Sequence, residues 1–232
     1  MERTSKTVSS REHIKTLCAA GLFAALAYVC CALFHFKAGF LTFDLKDAVM
    51  AVGGMILGPV YGIAMAILVA VIEAVTISST EFYGFIMNAL SSCTFVGISS
   101  LIYTKRRTLP FAVTGIMVAS VSTVGVMMLA NLFITPFYMG VSRSDVAAMI
   151  PTLLLPFNLT KSIFNSAVVF IIYKPIITAM RSSGFITSAN NSKMLKKSGK
   201  LSIIITASAL AVAAAALIFF FVKLNGSFSF GK

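Results

Sequence analysis

Residues 48–72 read Ala48-Val49-Met50-Ala51-Val52-Gly53-Gly54-Met55-Ile56-Leu57-Gly58-Pro59-Val60-Tyr61-Gly62-Ile63-Ala64-Met65-Ala66-Ile67-Leu68-Val69-Ala70-Val71-Ile72, twenty-five residues without a charge. Length alone would allow one tilted membrane span, because about 20 apolar residues cross the hydrocarbon of a bilayer. Gly58-Pro59 argues against a single span. Gly-Pro is a strong turn signal, and proline disfavours helix at the residue before it. Apolar sequence continues to about Ser78. The pattern therefore predicts two helices, a short one near 45–57 and a longer one near 60–78. The short helix cannot cross hydrocarbon unaided, so it must be shielded by neighbours or lie partly beneath a loop.

The rest of the chain has the same character. Of 232 residues, 58% are hydrophobic and 11% charged, with a mean hydropathy of +0.95. About 25% charged is usual for a soluble domain. These values exclude a soluble globular protein, a disordered chain and a secreted disulfide scaffold. The long unbroken apolar runs also exclude a barrel, which needs alternating polarity. An all-α, multi-pass membrane protein remains.

Outward from 48–72, Thr16–Phe36 is an uncharged run, too long for a signal peptide, and is expected to be the first helix. Phe82–Thr104 is the fourth, stopped by Lys105-Arg106-Arg107. Leu109 to about Ile134 is the fifth, ended by Thr135-Pro136, and a polar connection follows from Phe137 to Pro151. Thr152–Met180 is the sixth, interrupted by Pro156, and Leu201–Val222 is the seventh. The expected division is a tail at 1–13, a six-helix domain at 14–181, a basic linker at 182–200, an additional transmembrane helix at 201–222 and a tail at 223–232.

Charge sets the orientation. With the N-terminus in the cytoplasm, thirteen Lys and Arg fall on the cytoplasmic side, in the N-terminal tail, at 105–107 and over 174–200. Five fall outside: Lys37, Lys46, Arg143, Lys223 and Lys232. This bias matches the positive-inside rule, and it needs two helices between 45 and 78. The formal net charge of +12 is read as topology and contact with anionic membrane lipids, not as nucleic-acid binding. Cys18, Cys30, Cys31 and Cys93 all lie in apolar runs without CxxC spacing, and are expected to be packing residues.

Polar groups at bilayer depth are the candidates for function, because a charge there costs roughly 2.5–3.5 kcal/mol on insertion scales. Lys161, about 13 Å along the sixth helix, and Glu73, near the outer end of the third, are expected to pair or to face a wet cavity. Asn158 shares a helical face with Lys161, and Asn165 extends that stripe. Asn131 lies near the outer end of the fifth helix and Asn88 is on the fourth. Together Asn131, Asn158 and Lys161 suggest a pocket for a polar heterocycle or polyol. The first outer loop, 35–47, mixes aromatic, aliphatic and charged residues and is placed to lie over that pocket as a lid. Asp44 is expected to cap the short second helix. His35 and His13 are not expected to act as ligands. Ala20/Ala24 and Gly21/Ala25 are small-xxx-small pairs, suited to internal packing or to a partner interface. No GxxxxGK[ST], HExxH or GxSxG motif occurs, so neither ATP hydrolysis by a phosphate loop nor an enzyme activity is expected.

These residues carry a resemblance. Phe40-Leu41-Thr42-Phe43-Asp44-Leu45-Lys46-Asp47 leads into Gly53-Gly54-Met55-Ile56-Leu57-Gly58-Pro59-Val60-Tyr61-Gly62. Asn131-Leu132-Phe133-Ile134-Thr135-Pro136 and Leu155-Pro156-Phe157-Asn158-Leu159-Thr160-Lys161 follow. Over roughly residues 12–181 the chain resembles the riboflavin-binding, RibU-type substrate-specificity (S) subunits of energy-coupling factor (ECF) transporters of the bacterial cell membrane. The resemblance implies a six-helix S-component bundle that takes up vitamin near its outer face, with no cofactor of its own. It implies docking on a transmembrane coupling subunit driven by two ATPase subunits. Asn131, Asn158 and Lys161 match the flavin-contacting positions, Leu41 and Thr42 a ring contact, and Ala20 and Ala24 the docking motif. Riboflavin is the ligand implied, with FMN a second candidate because Lys161 would attract its phosphate, and another vitamin a third. The seventh helix departs from the six-helix pattern and is assigned no part in binding.

Overall fold

A computed structural model describes residues 10–34, 36–38, 41–76, 81–182, 199–224 and 227–228. His35 and the linker residues 183–198 lie outside the described residues, as do the tail residues 1–9 and 229–232. Helix α1 spans Ser10–Leu33, followed by strands β1 (Phe36–Ala38) and β2 (Leu41–Phe43), which pair as an antiparallel hairpin. Helices α2 (Lys46–Leu57), α3 (Pro59–Thr76), α4 (Glu81–Thr104) and α5 (Leu109–Met139) come next. A short helix α6 (Arg143–Met149) runs through a π-helical turn, Ile150–Leu154, into α7 (Leu155–Ser182). Helix α8 (Gly199–Lys223) and strand β3 (Ser227–Phe228) complete the chain.

Six helical segments among the described residues are long and apolar enough to cross a membrane. The protein is thus a multi-pass, all-α membrane protein with one small β-ribbon. Helix α2, at twelve residues, is too short to cross hydrocarbon unaided, and its residues Lys46–Ile56 are all buried by their neighbours. At Gly58 the chain turns with φ +110°, a conformation that favours glycine, and Pro59 starts α3. The two helices then fold back closely. A Cβ on Gly54 would run into Ser100 Oγ and come within 3.1 Å of the Gly62 Cα. Glycine here is a packing requirement of the α2–α3–α4 contact.

Several boundaries differ from the sequence reading. Helix α1 starts at Ser10 and ends at Leu33, not at Phe36. Helix α5 does not stop at Thr135-Pro136 but runs to Met139, where Gly140 at φ +66° donates its N–H to the Pro136 carbonyl at 2.9 Å. Membrane helices tolerate an internal proline where neighbouring helices and hydroxyls compensate. The stretch 137–151 is not simply a connection, because α6 begins there on a capping box. Asp145 N–H donates to Ser142 Oγ at 3.2 Å, and Ser142 N–H to Asp145 Oδ2 at 3.1 Å. Pro156 does not interrupt the following helix. It sits in the first turn of α7, and the π-turn before it closes with Leu155 N–H on the Ile150 carbonyl.

The interior divides in two. One apolar cluster joins α1, α2, α3, α4, α5 and the later part of α7. The second joins the hairpin, the start of α7 and α8 through Phe36, Phe43, Phe157, Phe164 and Phe220.

Candidate binding site

Strand β2 and helices α4, α5 and α7 enclose a cavity of about 670 Å³, counting its open mouth. Leu41 and Thr42 come from the hairpin; Tyr83, Met87, Asn88 and Ser91 from α4; Met127, Asn131, Thr135 and Tyr138 from α5; Phe157, Asn158 and Lys161 from α7. Aromatic, thioether and aliphatic surface therefore faces three carboxamides and one ammonium. Tyr83 and Tyr138 stand near each other, with ring centroids 6.4 Å apart.

Each polar group is held from its own helix or from the layer behind. Asn131 Nδ2 donates to the Met127 carbonyl at 2.7 Å, and its Oδ1 accepts from Thr135 Oγ1 at 3.0 Å. Asn158 Nδ2 donates to the Leu154 carbonyl at 2.8 Å. Each amide thus uses one N–H on its own helix and keeps a second. Lys161 Nζ donates to the Thr42 carbonyl at 3.1 Å and to Asp44 Oδ2 at 3.0 Å, tying α7 to the end of the hairpin.

Behind the cavity runs a buried chain of charges. Asp44 Oδ2 lies 3.5 Å from Lys46 Nζ, and Lys46 in turn donates to Glu73 Oε2. Glu73 Oε1 accepts from Asn88 Nδ2 at 3.0 Å, which brings the chain back to the cavity wall. Asp47 accepts from Ser92 Oγ. A carboxylate paired with an ammonium can only accept, so the amide of Asn88 must turn its N–H side to Glu73. Its carbonyl side is then left for the cavity. Pairing also makes these charges tolerable, since each would be costly alone in a low-dielectric interior.

Leu41, Thr42, Asn88, Asn131, Asn158 and Lys161 are brought together on the cavity wall. Glu73 is not among the lining residues; it stands behind Asn88. Nor does Glu73 pair with Lys161, as one sequence expectation had it, because Lys46 is its partner. Lys46 and Asp47, outer-loop charges by their place in the sequence, are both buried. Asp44 is not the cap of α2. The N-cap position is Leu45, and the first-turn N–H of Ala48 donates to Asn165 Oδ1 from α7 at 3.1 Å. Asn165 Nδ2 returns to the Asp44 and Lys161 carbonyls at 3.2 and 3.1 Å, so Asn165 is a brace between α7 and α2. The cavity residues Tyr83, Met87, Ser91 and Met127 were missed, because nothing in an apolar run marks which aromatic or thioether side chain faces a void.

Ala20 and Ala24 are buried in the core cluster shared with α2 and α3. The exposed small pair on α1 is Gly21/Ala25, and a Cβ on Gly21 would meet nothing within 4 Å. Spacing had identified two small faces without saying which one points inward. The Sγ of Cys31 and carboxylate oxygens of Asp44 and Glu73 lie within 4.8 Å of one another. The Lys46 ammonium already contacts both carboxylates.

A multi-pass membrane protein whose cavity is roofed by a hairpin and lined by carboxamides and one ammonium belongs to the class of membrane-embedded solute receptors. The family model described as "ECF transporter, substrate-specific component" matches residues 15–173. A relative, the riboflavin transporter RibU of Staphylococcus aureus (strain TCH60), is 25% identical over 176 residues, covering 72% of this chain and 93% of that protein. A solved structure, described as the S component of a bacterial ECF transporter, superposes with a TM-score of 0.62 at 24% identity. It covers 72% of this chain and 98% of the other. The chain belongs to the family of ECF transporter substrate-specific components: it is a transporter subunit and not an enzyme. The matched segment ends inside α7, so α8 and β3 lie beyond it.

Proposed function

We propose that this chain binds riboflavin beneath the β1–β2 hairpin, at the outer face of the bacterial cell membrane, and delivers it for ATP-driven uptake. The cavity carries this reading. A flat isoalloxazine suits the space among Tyr83, Tyr138, Phe157 and Leu41, and its polar edge and ribityl hydroxyls suit Asn131, Asn158, Asn88 and Lys161. The named RibU relative supports the same ligand. With the buried Lys46 set aside, a distribution of thirteen Lys and Arg to four supports a cytoplasmic N-terminus. Delivery uses the transmembrane coupling subunit and two ATPase subunits that the resemblance to ECF transporters implies, the chain carrying no phosphate loop of its own. The outward Gly21/Ala25 face of α1 is the docking surface favoured by burial, in place of Ala20/Ala24.

The test is the visible spectrum of detergent-purified protein, followed by quenching of riboflavin fluorescence. Flavin bands or saturable one-to-one quenching is the expected result. A colourless protein that leaves riboflavin fluorescence unchanged overturns the ligand assignment. FMN is the weaker candidate on structural grounds. The Lys161 ammonium is paired with Asp44, and the buried layer holds three carboxylates (Asp44, Asp47, Glu73) against two lysines (Lys46, Lys161). A phosphate finds no free positive charge there, so FMN should bind more weakly than riboflavin.

A further inference from the structure

We propose that α8 and β3 form a latch on the hairpin, and that Phe220 is a positioning residue of the binding site that sets how long a bound ligand stays. Strand β1 is the middle strand of a three-stranded ribbon of order β2-β1-β3. On one edge it pairs with β2, which supplies the cavity residues Leu41 and Thr42. On the other it pairs with β3, Phe36 opposite Phe228 and Lys37 opposite Ser227.

The side chains repeat this arrangement. Phe43, fully buried, has ring centroids of Phe220 at 4.7 Å, Phe164 at 4.9 Å and Phe157 at 6.3 Å. Phe36 sits edge-on to Phe220 at 6.3 Å and to Phe221 at 5.5 Å. Phe220 is also fully buried and reaches Phe157, a cavity-lining residue, at 6.3 Å. The hairpin is thus held twice, by Lys161 on the Thr42 carbonyl from the cavity side and by α8 from behind.

Lifting the hairpin off the cavity would break the β1–β3 pairing and draw Phe36 and Phe43 away from α8. A ligand that leaves beneath β2 must therefore wait for α8 to give way. Phe220 touches no cavity surface itself and acts through Phe43 and Phe157. The ribbon and the aromatic cluster stand independently of the ligand's identity; only the choice of riboflavin as probe rests on the proposed function.

The test uses full-length protein and two readouts. In Phe220→Ala, riboflavin should dissociate about tenfold faster, the scale expected for losing a buried aromatic cluster contact, with little change in association rate. Backbone amide exchange at 36–38 and 41–43 should quicken in the same variant with no ligand present. Phe36→Ala, which removes the hairpin side of the contact, should do the same. The effect of the double variant should fall short of the two single effects combined, because the rings of Phe36 and Phe220 pack on each other and both on Phe43. If Phe220→Ala does not fold, Phe36→Ala and Phe220→Leu carry the same comparison. Unchanged exchange of the hairpin, or strictly additive effects on dissociation, would overturn the latch. Failure of the wild type to bind riboflavin overturns the ligand assignment alone, since the exchange measurement still decides the latch.

Discussion

At the scale of single residues, the informative feature is which buried charges the cavity uses and which it only leans on. Lys161 both faces the cavity and neutralises Asp44, so its removal has two consequences that can be separated. Lys161→Ala should weaken riboflavin binding by about tenfold or more, equivalent to about 1.4 kcal/mol, and should also lower Tm because Asp44 loses one of its two cations. Lys161→Met combined with Asp44→Asn should recover Tm while binding stays weak. Recovery of binding as well would mean that the ammonium serves only its neighbour. Glu73 acts one layer back. Glu73→Gln leaves the cavity wall in place but frees the amide of Asn88 to turn, so affinity should fall by about two- to tenfold, the worth of one hydrogen bond. A titration of the folded variant measures it. Asn131, Asn158 and Lys161 were legible from sequence, because polar groups inside apolar runs demand a reason. Asp44, Lys46 and Asp47 were not. They stand in a stretch that reads as a polar loop, and only the burial of α2 by its neighbours reveals them as interior charges.

At the scale of elements, local signals were reliable where a conformation admits few residue types. Gly58-Pro59 divides α2 from α3 because φ +110° and a helix-starting proline leave little alternative. Pro136 was a poor stop signal, because α5 continues to Gly140, where a left-handed residue ends it. Helix α1 shows the other limit of local reading, since periodicity finds faces but not their neighbours. Ala24→Leu should disrupt packing against the core and lower Tm, since overpacking a tight interface costs about 1–3 kcal/mol. Ala25→Leu, on the exposed face, should leave Tm and riboflavin affinity unchanged and impair uptake in cells. Thermal unfolding, binding and transport measured on the same pair of variants distinguish these roles. If Ala25→Leu transports normally, the docking surface lies elsewhere on the bundle.

At the scale of the whole molecule, the long apolar helices were legible because the bilayer imposes a length: six among the described residues meet it, and the short α2 lies buried beside them. The cavity was not, since it arises from the meeting of β2, α4, α5 and α7, whose contacts no single run encodes. Orientation can be tested directly. A single cysteine at position 106, in a background with the four native cysteines replaced, should react with a membrane-impermeant maleimide only after the cells are opened; labelling of intact cells would invert the assignment. The paired Lys46 and Glu73 bear on biogenesis as well as on binding. Helix α2 begins with two charges and has only twelve residues, so it is a poor substrate for insertion by itself. Glu73, alone in α3, would burden that span too. Delivered to the bilayer as one hairpin folded at Gly58, the two helices would set the Lys46 ammonium against the Glu73 carboxylate. The salt bridge thus ties the burial of α2 to that of α3.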